Sequence, residues 1–207
     1  MEKKNIVITI ARMYGSGGRT VAKMLSEKLG IPFYDKDLVR LASDYSGISE
    51  SLFANADEKN KGLFSKLKKK KYGGEVLSPD SSQFTSEENL FNYQAKIIRD
   101  LAEKESCIII GRAADYILKD RDDCISVFVH APQWFLMEQA AKKHSMSQKE
   151  LEKYIAKIDK GRAEYYKTHT GREWTDARNY DLCLDSSKLG FEKCVEEIKA
   201  YMEVKLK

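Results

Sequence analysis

Proline, histidine and tryptophan are scarce in this 207-residue chain, at three, three and two residues. So little proline excludes a polyproline spacer or a proline-rich recognition segment. His130, His144 and His169 show no metal-ligand spacing and read as structural or incidental. Cys107, Cys124, Cys183 and Cys194 form no CxxC pair, which removes zinc ribbons and thioredoxin-type redox motifs. Three of the four sit in apolar, strand-like runs, so buried free thiols in a reducing compartment, the cytoplasm, are expected. Long apolar runs are also missing. Ile6 to Ala11 is too short for a signal-peptide core, and no stretch approaches a membrane span. Neither charge sign dominates: 36 Lys and Arg face 32 Asp and Glu, a formal net charge of +4. That balance demands neither nucleic acid nor membrane, and it suits an anionic small molecule.

What is present alternates short apolar runs with helical periodicity. Asn5–Ile10 is β-branched and reads as a strand. Val21, Leu25 and Leu29, widened by Ala22, form the stripe of a helix that stops at Gly30 ahead of Pro32. Phe33–Asp35 is a second strand. Residues 57–82 are polar and lysine-rich, and read as a mobile insertion or a pair of short helices. The run Lys66–Lys71 within it reads as a solvated face rather than a polyanion site. Thr85 and Glu88 predict a capping box opening a helix through Leu101. Cys107–Ile110 and Cys124–Val129 are buried strands, and Gln133–His144 is a helix. Ser147 and Glu150 predict a second capping box, opening a helix to about Tyr166. Asp181–Leu184 is the last strand and Phe191–Lys205 the closing helix. The alternation predicts an α/β fold with a five-stranded parallel sheet and helices on both faces. Ligands then belong beyond the carboxyl ends of the strands.

The first such end carries Gly15-Ser-Gly-Gly-Arg-Thr20 between a strand and a helix. Glycines let a loop curl so that backbone N–H groups point inward, and the helix start adds its positive end. Set against G-x-x-x-x-G-K-[ST], Met13 replaces the first glycine and Arg19 the lysine. Arg19 keeps the charge and brings a planar fork for phosphate oxygens. Gly15, Ser16, Gly17, Gly18, Arg19 and Thr20 are therefore the expected nucleotide-binding set, with Thr20 as the Mg²⁺ ligand. The competing reading is a glycine-rich turn without ligand.

Further segments complete a pattern. They are Ile8–Arg19, Gly30-Ile-Pro-Phe-Tyr-Asp-Lys-Asp37, Ile109-Ile-Gly-Arg-Ala-Ala-Asp115, Lys157-Ile-Asp-Lys-Gly-Arg162, Thr170-Gly-Arg-Glu-Trp174 and Tyr180–Ser186. Over nearly its whole length the chain resembles the cytidylate kinase-like family, a branch of the nucleoside monophosphate kinases. The resemblance implies a single P-loop kinase domain over 1–207, with an acceptor-binding region at about 36–104 and a lid at about 145–178. It implies ATP and Mg²⁺ as cofactors, and γ-phosphoryl transfer to CMP or dCMP. Arg19, Arg112 and Arg162 are its implied catalytic residues, and Asp35, Arg40, Arg112 and Asp159 its implied acceptor-binding residues. Arg172 is a second lid candidate, or stacks on Trp174. Lys157 and Lys160 share a helix face in the lid region and read equally as exposed charges. Asp35 reads as a support for Mg²⁺ or a helix N-cap, and Asp185 as a cap for the final helix. Ile110 stands where cytidylate kinases proper have a carboxylate, with Asp35 or Asp115 as substitutes.

Three function classes follow: a CMP or dCMP kinase, a kinase of another small molecule on the same frame, and a non-catalytic nucleotide-binding regulator. A nucleic-acid binder rests on Lys66–Lys71 alone.

Overall fold

Strand β1 (Val7–Arg12) is buried on both faces. Val7 and Ala11 pack with Phe91, Ile98 and Ile109 on one side, while Ile8 and Ile10 pack with Val21, Leu25 and Ile198 on the other. Side chains alternate along a strand, so an unbroken apolar run requires cover on both faces. The computed structural model describes residues 5–59 and 75–205. Lys66–Lys71 and Gly73-Gly74, part of the predicted insertion, lie outside the described residues.

Four more strands join β1: β2 (Phe33–Tyr34), β3 (Cys107–Ile110), β4 (Cys124–His130) and β5 (Leu182–Asp185). All pairings are parallel, in the order β2-β3-β1-β4-β5. Ile10 lies level with Ile110 on one side and Val127 on the other. Helices α1 (Gly18–Leu29) and α8 (Ser186–Lys205) cover one face. On the other face lie α2 (Asp37–Ser46), α3 (Glu50–Lys59), α4 (Glu87–Lys104) and α5 (Ala114–Ile117). Helices α6 (Gln133–Ala141) and α7 (Gln148–Thr170) pack on each other through Leu136, Ala140, Leu151 and Ile155. The result is the three-layer α/β P-loop frame.

Local chemistry sets most boundaries. Gly30 ends α1 at φ 65°, its N–H returning to the Ser26 carbonyl. The Ser147–Glu150 capping box is present, and α7 runs past Tyr166 to Gly171. The box at Thr85 is not. Ser86 is the N-cap, its hydroxyl accepting the Asn89 N–H, so Glu88 falls one position short of a reciprocal bond. Helix α8 starts five residues before the predicted Phe191, but Gly190 breaks it at φ 73°, ψ 168°. Only the two ends of the run 57–82 lie among the described residues. Residues 57–59 finish α3, and buried Asn89 and Tyr93 hold Leu77 by hydrogen bonds of 2.8 and 2.9 Å.

Cys107, Cys124 and Cys194 are buried, and burial pushes the first two thiols up to about 12. Cys183 departs from the expectation and is exposed. It lies on edge strand β5, between Leu182 and Leu184, which face α8, so alternation turns it to the other side. Among the described residues no helix is long and apolar enough to cross a membrane.

Candidate active site

The glycine loop leaves β1 and enters α1 as the sequence predicts. Gly17 is the N-cap at φ 77°, without a side-chain cap, and no acidic residue stands in the first turn. A Cβ on Gly17 would lie 2.2 Å from the Phe191 ring, so only glycine fits there. The N–H groups of Gly18, Arg19 and Thr20 have no partner inside the helix, which leaves its positive end available to an anion. Ser16 is buried and turned inward. Its hydroxyl donates to the Met13 carbonyl at 2.8 Å, and its own carbonyl accepts from Ser186 at 2.7 Å. Met13 in turn donates its N–H to Val129 at 3.0 Å. The loop is thus tied to the end of β4 by a backbone bond and to the residue after β5 by the Ser186 hydroxyl. Thr20 is exposed in the first turn.

Arg19 is 66% exposed, and its Nε lies 3.0 Å from the Asp35 carboxylate at the end of β2. Asp35 is therefore not the cap of α2. That position is Lys36, with no side-chain cap bond. The other Asp35 oxygen faces Arg12 Nη2 at 3.6 Å. Arg12 closes β1 and received no role from the sequence. Burial, with Arg162 and Arg112 nearby, pushes its guanidinium down to about 9 against the opposing pull of Asp35.

Helix α7 supplies a third arginine. Arg162 Nη1 donates to the Arg12 carbonyl at 2.9 Å and to Asp159 at 3.0 Å. Asp159 accepts the Tyr14 N–H with both oxygens, at 2.8 and 3.1 Å. Burial raises the Asp159 carboxyl although Arg162 and the Tyr14 N–H favour its charge, and burial likewise lowers Arg162. Arg162 also stands 5.8 Å over the Tyr14 ring, whose hydroxyl meets His144 at 2.6 Å.

Arg112 follows β3, where Gly111, Arg112 and Ala113 all have positive φ, at 71°, 58° and 51°. Two non-glycine residues in the left-handed region are strained, and such strain concentrates at functional loops. Arg112 Nη1 reaches Gln94, a buried side chain of α4, at 3.4 Å.

Arg12, Arg19, Asp35, Asp159 and Arg162 therefore meet beside the loop, with Arg112 at the next strand end. Other expected residues do not. Arg40 faces Asp37 and Asp44 on its own helix and is 56% exposed. Lys157 is exposed, and Lys160 pairs with Glu164 at 3.8 Å. Arg172 stacks on Tyr116 at 5.1 Å rather than on Trp174. Ile110 is core, 1% exposed. Asp115 is buried under the Tyr166 hydroxyl at 2.6 Å, and burial pushes it up to about 6. Asp185 caps the turn into α8, accepting the N–H and hydroxyl of Ser187. A cavity of about 370 Å³ involving Asp115, Arg121, Arg172, Asp181 and Lys205 opens near the amino ends of β4 and β5. It lies away from the strand ends where this architecture places ligands.

Known proteins agree with this frame. Residues 7–188 match the model of the cytidylate kinase-like family. A cytidylate kinase of Methanopyrus kandleri is 24% identical, over 96% of this chain and 94% of that protein. One of Pyrococcus horikoshii is 25% identical, over 98% and 91%. Among solved structures, an uncharacterized protein from Eubacterium ventriosum superposes with a TM-score of 0.71 at 25% identity, covering 96% of this chain and 99% of that one. A shikimate kinase from Bacteroides thetaiotaomicron shares the fold, with a TM-score of 0.55 at 15% identity over 96% and 98% of the two chains. With 182 of its 207 residues inside the family match, the chain belongs to the cytidylate kinase-like family.

Proposed function

We propose that this protein transfers the γ-phosphoryl group of ATP to a nucleoside monophosphate, CMP or dCMP. One observation carries the reading. Three guanidiniums, of Arg12, Arg19 and Arg162, share two carboxylates, Asp35 and Asp159, beside an uncapped helix N-terminus. Such a group has positive charge and N–H donors to spare for phosphate.

The backbone of Gly15–Thr20 cradles the ATP phosphates, and Arg19 swings from Asp35 onto them. Mg²⁺ takes oxygen donors and keeps several waters. The exposed Thr20 hydroxyl and the Asp35 carboxylate offer such donors next to the loop, so the residues fit the ion. Arg112 grips the acceptor phosphate, and Arg40 joins it on release from Asp37 and Asp44. Arg162, oriented by Asp159, meets the transferring group. An acceptor phosphate oxygen bonds to the γ-phosphorus, the bond to the β,γ-bridging oxygen breaks, and ADP leaves with that electron pair. Phosphoryl transfer asks mainly for positioning and charge neutralisation, which arginines on rigid strand ends provide.

The cytidylate kinases among its relatives support this acceptor. Ile110 favours a second reading, a kinase of another small molecule, because no carboxylate precedes Gly111. A coupled assay of ADP release with CMP, dCMP, other nucleoside monophosphates and unphosphorylated acceptors decides between them. Turnover fastest with CMP or dCMP is expected. Turnover only with another acceptor establishes the second reading, and ATP binding without any turnover leaves a regulator.

A further inference from the structure

Arg12 stands where three structural pieces meet. Its Cβ packs on Gly18, where an added Cβ would lie 2.5 Å away. Its Nη1 lies over Gly111, with only 2.3 Å to an added Cβ there. Its carbonyl accepts the Arg162 bond from α7. The side chain thus spans from the glycine loop of β1 to the strained turn after β3.

That guanidinium has spare capacity. Its side chain is 21% exposed, and its one ion pair among the described residues, to Asp35, is long at 3.6 Å. Among the described residues it donates no side-chain hydrogen bond, although a guanidinium carries five N–H donors. A mostly buried cation with its donors unused is costly unless a ligand completes it. The neighbouring charges sharpen this. Arg162 and Arg112 both act against its charge, while Asp35 and Asp159 only partly offset them. A purely structural arginine would be expected to spend its donors on carbonyls or on a close carboxylate, as Arg121 does with Asp123 at 2.9 Å.

We infer that Arg12 is an acceptor-phosphate ligand, closing with Arg112 on the phosphate of a phosphomonoester while Arg19 serves the ATP phosphates. The inference rests on the kinase reading and narrows its acceptor. A planar fork recognises two oxygens of one phosphate, which a neutral hydroxyl compound does not offer. The acceptor therefore carries an anionic group, and in the nucleoside monophosphate reading that group is its phosphate. The guanidinium end lies over Gly111, next to Arg112, while only the Cβ and Cγ of the side chain pack on Gly18, which assigns it to the acceptor rather than to ATP.

The test uses the full chain and two ligands separately by calorimetry, CMP and ATP with Mg²⁺, with cytidine as the unphosphorylated control. Arg12→Gln is expected to weaken CMP binding about 30-fold, the loss of charge-assisted hydrogen bonds, and to leave ATP within threefold. Arg12→Lys keeps the charge and recovers part of the CMP affinity. Arg19→Gln shows the reverse preference, weakening ATP more than CMP. Unligated melting temperatures of the variants separate folding from binding. Arg12→Gln binding CMP as well as the parent overturns the inference. So does an equal loss for both ligands with a lowered unligated melting temperature, the mark of a structural role. A parent protein that binds ATP but binds CMP no better than cytidine also overturns it, while leaving the phosphate loop in place. A parent that binds neither overturns the kinase reading together with it.

Discussion

Asp159 on α7 grips the Tyr14 N–H of the glycine loop with both carboxylate oxygens, at 2.8 and 3.1 Å. The two residues are 145 positions apart, and the same carboxylate also holds Arg162. Helix α7 is thereby fastened to the loop through this carboxylate, alongside Arg162, which bonds the Arg12 carbonyl. Asp159→Ala leaves the Tyr14 N–H and Arg162 without this acceptor. Turnover is expected to fall about 10- to 100-fold, as a buried charged hydrogen bond commonly contributes roughly 1.5–3 kcal/mol. Hydrogen exchange over residues 148–170 should quicken. Unchanged turnover together with unchanged exchange would show that the contact fastens nothing.

Arg19 occupies the lysine position of the loop and rests on Asp35. Arg19→Ala is expected to lower kcat/KM for ATP about 100-fold, through loss of two charge-assisted bonds. Arg19→Lys retains the charge and should stay within about tenfold of the parent, an effect of near 1.4 kcal/mol. Steady-state kinetics with ATP varied at saturating acceptor measures both. An alanine variant as active as the parent would remove Arg19 from the chemistry.

Thr9 sits in the middle of β1, 2% exposed, and its hydroxyl has no hydrogen-bond partner among the described residues. Valine has the same shape without the polar atom, and desolvating an unpaired hydroxyl costs about 1–3 kcal/mol. Thr9→Val is expected to raise stability by about 1 kcal/mol, with Tm up by roughly 2–4 °C for a chain of this size. Thermal unfolding checks it. A lowered Tm would mean that the hydroxyl holds a buried water or another partner.

His169 lies flat on Phe91, with ring centroids 3.9 Å apart and planes 4° from parallel. Burial pushes its imidazole down from 6.5 to about 4. The unfolded chain therefore binds a proton between those values while the folded protein does not. Stability from this residue is intact above pH 6.5, drains away as pH falls toward 4, and changes no further below. His169→Phe keeps the stack and removes that drain. Tm measured from pH 7 to pH 4 should fall less in the variant. Parallel curves would place the titration elsewhere.

Much of the frame was written in local pattern. Apolar runs at Cys107–Ile110 and Cys124–Val129 could only be buried strands, and Gly30 and the Ser147–Glu150 pair marked helix ends by their own chemistry. Local pattern draws no bounds for α2, which enters only as the helix that Asp35 could cap, or for α5. The second is only four residues long, too short to show a helical period, and the first lies in a segment read for its charges. The cap at Ser86 shows how little separates two neighbouring hydroxyls: backbone geometry, not residue type, chose between it and Thr85.

The sequence by itself determined the class of fold and the glycine loop, because strand, turn and helix signals are short-range and Gly15–Thr20 spells out its own backbone. It also placed Arg112, Arg162, Asp35 and Asp159 on strand ends and a helix where charged groups gather. Only the tertiary structure decided which of these meet. Asp35 holds Arg19 across the gap from β2 to α1, and Asp159 reaches Tyr14 from 145 residues away. Arg12 was invisible as a site residue because nothing in its local sequence distinguishes it from a strand-end arginine. Its meaning comes from Gly111, Gly18, Asp35 and Arg162 closing around it, contacts that exist only once the parallel sheet sets β1, β2 and β3 side by side.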